Sequence, residues 1–133
     1  MAGAYEATTL GVLVRVTPTF LSAQSQPDEG QYIWAYTVEI ENRGAETVRL
    51  VSRHWVITDA MNRVEEVRGP GVVGEQPTLA PGESFQYTSG CPLPTPSGAM
   101  RGAYQMITKS GETFDAEIPE FSLHLPEATR RMN

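Results

Sequence analysis

Residues 32–40 read YIWAYTVEI, and this stretch decides the fold. Tyr32, Trp34, Tyr36, Val38 and Ile40 fall on one face, while Thr37, Glu39 and Glu41 fall on the other. Strict period two in aromatic and β-branched residues is the mark of a half-buried strand. The same alternation recurs on either side. Upstream, Leu10, Val12, Val14 and Val16 alternate with Gly11, Leu13 and Arg15, and the polar SAQSQPDEG (22–30) separates the two runs. Downstream, ENRGAET (41–47) turns around Gly44 into a strand expected over about 47–58, and DAMN (59–62) closes a hairpin into RVEEVR (63–68).

Beyond a glycine-rich connection, Pro81-Gly82 suits a type II turn, because proline presets φ and glycine supplies a positive one. Phe85, Tyr87 and Ser89 then share a strand face. GCPLPTPSG (90–98) places three prolines in five positions and is expected to be a loop that no sheet can contain. A strand over about 99–108 turns at KSGE (109–112) into a last one. There Phe114, Ala116 and Ile118 share a face, but Phe121, Leu123 and Leu125 are offset by one, with Pro119 at the slip. Such a parity change predicts a bulge or a strand that passes between sheets. No window has helical spacing. About seven strands joined by short loops predict an all-β, antiparallel two-sheet sandwich of the immunoglobulin or fibronectin type III kind.

A chain of 133 residues fits one domain, taken as 1–133 with its core at about 9–126 and a flexible tail at 127–133. With 16 acidic against 10 basic residues the net charge is −6, a balance that disfavours nucleic acid, and the basic residues are scattered. No apolar run approaches the roughly 18 residues a membrane span needs, and MAGAYEATT has no basic segment leading an apolar one. The single cysteine, Cys91, allows no intramolecular disulfide. These features together predict a cytoplasmic protein without membrane association.

Three places invite a chemical reading. GPGVVGEQP (69–77) sets Gly69, Gly71 and Gly74 in the G-x-G-x-x-G spacing of a dinucleotide loop. That loop works because its glycines lead into a helix whose N-terminal amides and dipole hold phosphate. Here Glu75, Gln76 and Pro77 follow instead, Pro70 removes a donor, and no acidic residue stands about 20 positions on. An inter-strand connection is therefore expected, with an anion nest assisted by Arg68 as the alternative. In Arg53-His54-Trp55, Trp55 is expected in the core. His54, on the face of Val48, Leu50 and Val56, is expected as a hydrogen-bonded interior histidine. The two histidines, His54 and His124, lie far apart, and no third ligand or C-x-x-C accompanies them. The acids Asp28, Glu29, Asp59, Glu65, Glu66 and Glu112 form no cation loop, and Glu65 and Glu66 point to opposite sides of one strand. No catalytic site, cofactor or metal is predicted. YTSGC lacks a nucleophile elbow, and Cys91 has no adjacent charge partner.

Four segments carry a family resemblance: YxWAYTVxI, SRHWxITD (52–59), VRGPGVVGEQPxLAPGExFxYTSGCPLxTPxGxMRGxY (67–104) and IPEFxLxLP (118–126). Together they resemble the ApaG family over residues 9–126. The resemblance implies a fibronectin-like sandwich and an association with cobalt and magnesium resistance. Related domains in F-box proteins look like interaction modules, and the glycine motif has prompted suggestions of pyrophosphate binding. The function expected is a non-enzymatic protein-interaction module, linked to cobalt/magnesium homeostasis or stress physiology. Its candidate surface is Arg68, Gly69, Gly71, Val72, Val73 and Gly74, with GCPLPTPSG expected nearby. The alternative is a sensor that binds a nucleotide, polyphosphate or divalent cation through the glycine loop. Pairing of edge strands into a homodimer is a third expectation.

Overall fold

The computed structural model describes residues 4–125. It contains nine strands: β1 (Tyr5–Thr9), β2 (Val12–Phe20), β3 (Tyr32–Asn42), β4 (Val48–Asp59), β5 (Val64–Pro70), β6 (Thr78–Leu79), β7 (Ser84–Leu93), β8 (Ser97–Thr108) and β9 (Thr113–His124). They form two antiparallel sheets, β1-β2-β3-β7 and β5-β4-β8-β9, with β6 paired to β4. The all-β sandwich expected from the sequence is what forms. The count rises from about seven to nine because β1 and the two-residue β6 carry too few residues to show a period. SAQSQPDEG contains two single 3-10 turns, at Ser22–Gln24 and Pro27–Glu29. The segment 127–133, expected as a tail, lies outside the described residues.

The core is the interface between the sheets. Trp34, Tyr36, Val38 and Ile40 of β3 face Leu50 and Trp55 of β4, Met100, Tyr104 and Met106 of β8, and Ile118, Phe121 and Leu123 of β9. Burial of each such side chain contributes about 1.5–3 kcal/mol, which gives this layer most of the driving force. Tyr36, Tyr104 and Phe121 surround Trp55, with ring centroids at 5.1, 6.3 and 6.0 Å. Buried Asn42 donates to the carbonyls of Glu46 and Leu79 and accepts from the Gly44 amide, tying the β3–β4 turn to β6.

Two bulges set which residues see that core. In β4, Leu50 and Ser52 pair with the consecutive Met106 and Gln105, leaving Val51 as the extra residue. Val48, Leu50, Arg53, Trp55 and Ile57 therefore point inward together. This corrects the expected grouping: His54 lies on the outer face, away from Val48 and Leu50, and is not an interior histidine. In β9, Met100 and Gly102 pair with Phe121 and Ile118, so the slip at Pro119 is a bulge within one sheet.

Two further expectations change. Leu10 is not a strand residue: it occupies the β1–β2 turn at φ 48° and is 75% exposed. GCPLPTPSG is not one loop, because Gly90, Cys91, Pro92 and Leu93 continue β7 alongside Ile33 and Trp34. Since β7 is an edge strand, Pro92 can sit there without breaking a second ladder.

Candidate functional site

The glycine loop spans a gap in one strand edge. β5 pairs with β4 from Ser52 to Thr58, and β6 pairs with the same edge at Val48 and Arg49. GPGVVGEQP crosses the interval beside the Val51 bulge. There Val72 and Glu75 exchange backbone hydrogen bonds of 2.8 Å around Val73 (φ 42°) and Gly74 (φ 82°), a tight turn with both central φ positive. Gly71, at φ 59°, lies where a Cβ would collide with the Glu75 carbonyl. The Gly71 amide donates to Val51. Three amides of the loop, from Gly71, Val72 and Glu75, are thus committed to protein carbonyls, which leaves little of a phosphate cradle.

The carbonyls of the loop have a partner of their own. Arg53, inward from β4, donates from Nη1 to Pro70 O at 3.0 Å and to Gly71 O at 2.9 Å. Its guanidinium lies over Gly69, where a Cβ would approach Nη2 to 2.9 Å. Two of the three glycines therefore serve contacts inside the protein, Gly69 making room for an arginine and Gly71 for a backbone. Val72 is 1% exposed and belongs to the core, whereas Val73 is 56% exposed at the tip. Arg68 points outward to Glu66, at 3.4 Å.

Arg53 stands at a cleft of about 260 Å³ between the edge strands β5 and β7. Tyr36, Trp55, Ile57, Val67, Pro92 and Met100 supply much of its wall, and Glu65, Ser89 and Cys91 complete it. Burial raises the Tyr36 hydroxyl above its ordinary value, a shift that the Ser89 hydrogen bond opposes. Burial likewise pushes the Cys91 thiol up to about 11, and the nearby Glu65 charge adds to the effect. A thiol so placed is a packing residue at neutral pH rather than a nucleophile. Deeper in, the Tyr87 and Tyr104 hydroxyls bond to each other, and burial raises both.

The remaining candidates stand apart from this cleft. His54 Nε2 meets Glu66 at 2.8 Å on the outer face, and that hydrogen bond holds the Glu66 carboxyl below its usual range. His124 is at the exposed end of β9. Among the described residues, no three His, Cys, Asp or Glu side chains group as metal ligands. The Pro94–Pro96 turn is not near the glycine loop. Gly98 pairs with Asp59 and Pro70 with Ser52, seven residues apart on β4, or roughly 23 Å at strand rise. The sequence pattern places Tyr36, Arg53 and Ser89 on inward faces. Their meeting across two sheets leaves no linear signal.

A two-sheet sandwich with an arginine-bearing cleft between two edges defines the structural class. Comparison with known proteins gives the family. Residues 22–108 match the ApaG domain family model (DUF525). The chain is 61% identical to Protein ApaG of Caulobacter vibrioides, over 99% of this chain and 94% of that one. It is 59% identical to Protein ApaG of Rhodospirillum centenum, over 97% and 99%. Among solved structures it resembles the putative ApaA protein from Bordetella pertussis, with TM-score 0.86 and 54% identity over 87% of this chain and 94% of that one. The chain belongs to the ApaG family. The C-terminal domain of wzt, at TM-score 0.55 and 10% identity over 96% and 80% of the two chains, shares the fold alone. No helix among the described residues is long and apolar enough to cross a membrane.

Proposed function

We propose that this chain is a non-enzymatic protein-interaction module whose contact point is the tip of GPGVVGEQP. The observation that carries this reading is Val73. A β-branched residue at positive φ costs on the order of 1–3 kcal/mol, and asparagine or glycine would fill the position better. Its side chain is turned to solvent and fills no cavity in the core. Beside it, Val51 is 37% exposed and accepts hydrogen bonds from Gly71 and Gln76. The two valines flank a rigid corner suited to a partner's apolar side chain. Strand addition along β5 is less favoured, because Glu65 points inward, Pro70 ends the edge, and both are ordinary guards against edge pairing. The same guards oppose homodimerisation there. Any link to cation or stress physiology then runs through the partner, in a cytoplasmic setting.

Val73→Asn separates binding from folding, since it suits the turn and removes the apolar tip. Crosslinking pull-downs from a bacterial lysate should lose a specific partner with the variant while its melting temperature holds or rises. Identical captures by both proteins would sink the reading. The rival is a sensor for a nucleotide, polyphosphate or divalent cation, favoured by the Val73 and Gly74 amides, which have no acceptor among the described residues. It expects saturable amide shifts at Gly69–Gly74 on titration with a dinucleoside polyphosphate and magnesium.

A further inference from the structure

Two opposite charges line the β5–β7 cleft without touching each other. Arg53 spends Nη1 on Pro70 and Gly71, so the donors on Nε and Nη2 have no acceptor among the described residues. The Glu65 carboxylate, on the same cavity wall, makes no ion pair within 4.0 Å among them. Its neighbour Glu66, by contrast, is held by both His54 and Arg68 on the other face.

Strand register spaces the backbone positions that carry the two charges. Arg53 pairs with Gly69 and Ile57 pairs with Glu65, four residues apart along both strands, so their rows lie roughly 13 Å apart. The Arg53 guanidinium reaches toward Pro70 and Gly71, away from Glu65. Between them the wall is apolar, formed by Trp55, Ile57, Val67 and Pro92. A carboxylate and an ammonium at the ends of an extended stem of about five carbons span roughly 8 Å, and a contact of about 2.8 Å at each end brings the reach to the scale of that row spacing.

We propose that this cleft binds a zwitterion of the lysine type, with its carboxylate on Nε and Nη2 of Arg53, its ammonium on Glu65, and its methylene stem on the apolar wall. Arg53 is suited to the first role because a guanidinium anchored at Nη1 still offers a two-donor edge to a carboxylate. Tyr36 and Ser89, which face each other in register, also line the cavity. The glycine loop acquires a role here that needs no phosphate: it holds the arginine that holds the ligand. The proposal is independent of the apolar tip at Val73.

The test uses the full chain and 6-aminohexanoate as the probe, followed by amide and side-chain NMR shifts. Saturable shifts at Arg53, Glu65 and Val67 are expected. Hexanoate and hexylamine, each lacking one charge, should bind at least about tenfold more weakly, one lost charge contact being worth about that factor. Glu65→Gln, an exposed position with no internal bond to lose, should weaken the zwitterion by the same factor and leave hexanoate unchanged. Arg53→Lys should weaken both. Free lysine and acetyl-Gly-Lys then separate the sources: tighter binding of the free amino acid assigns a metabolite, and tighter binding of the peptide assigns a chain terminus. Absence of shifts with every probe at about 10 mM overturns the proposal, as does equal binding of hexanoate and 6-aminohexanoate, or zwitterion binding unaltered by Glu65→Gln.

Discussion

The two open sides of a β-sandwich face the same geometric problem, and this one treats them in opposite ways. On one side β1 crosses to β9: Tyr5 packs on Phe121 at 5.9 Å, and the Thr9 hydroxyl accepts the Glu117 amide at 3.0 Å. On the other, β5 and β7 stay apart around the Arg53 cleft. The first side is closed by apolar burial and one cross-sheet hydrogen bond. The second is lined by Arg53, Glu65, Ser89 and a thiol. Stability should concentrate at the closed side and ligand chemistry at the open one.

The largest expected effect breaks the closed side. Phe121, 1% exposed, touches Tyr5, Tyr36 and Trp55. Phe121→Ala should cost about 3–5 kcal/mol in denaturant unfolding, against no more than about 1 kcal/mol for Glu65→Gln at an exposed site on the open side. Comparable losses would erase the distinction. Next comes Cys91, which tests how tightly the open side is packed. With its thiol pushed from 9.0 up to about 11 and only 3% of the residue exposed, its reaction with a soluble disulfide at pH 8 should run at least about tenfold slower than that of a free thiol. The smaller thiolate fraction outweighs the higher nucleophilicity of the thiolate. A rate near the free value would mean that the cleft opens to its floor.

Gly71→Ala should then cost about 2 kcal/mol, because alanine at φ 59° is strained and its Cβ meets Glu75. Faster hydrogen exchange should appear at Gly71 and Val72 and leave β1 and β9 unchanged. The smallest effect is the acid limb. Burial alone would raise Asp59, but donation from the Arg63 and Met61 amides and the Arg63 guanidinium outweighs it and holds the carboxyl low. Glu66 is lowered by His54. A depressed folded value favours the folded state above the unfolded one, and the margin disappears as pH falls through the folded value. Unfolding midpoints should therefore be flat near neutrality and fall below about pH 4.5, starting from the ordinary values of 4.5 and 3.8. Asp59→Asn should flatten that fall.

The sheets were legible where one face is buried and the other is wet. YIWAYTVEI announces itself for that reason, and its inward set is the observed one. β1 was not legible because TyrGluAlaThrThr alternates between half-buried and exposed positions and has little apolar contrast. Pro92 hid the end of β7, since a proline excludes a central strand but not an edge. The candidate loop was half legible. Its glycines declared close backbone approach, but what approaches is Arg53, sixteen positions upstream of Gly69 and brought there by sheet pairing. The facing of His54 is hidden in the sequence because the bulge at Val51 shifts the phase of β4 and apolar periodicity does not mark it.

That bulge makes Val51 a phase marker. Because β4 carries one spare residue between Leu50 and Ser52, every side chain after it is shifted half a period relative to those before. Deleting Val51 would remove the spare residue, set Leu50 and Arg53 two positions apart, and keep Arg53 and Trp55 on the inward face of a plain strand. Pairing Val51 regularly, with no bulge, would instead exchange the destinations of Arg53 and His54: an imidazole would face the cleft and Trp55 would leave the core. The identity of the cleft is thus encoded partly as a residue count, one surplus residue matched by one bulge.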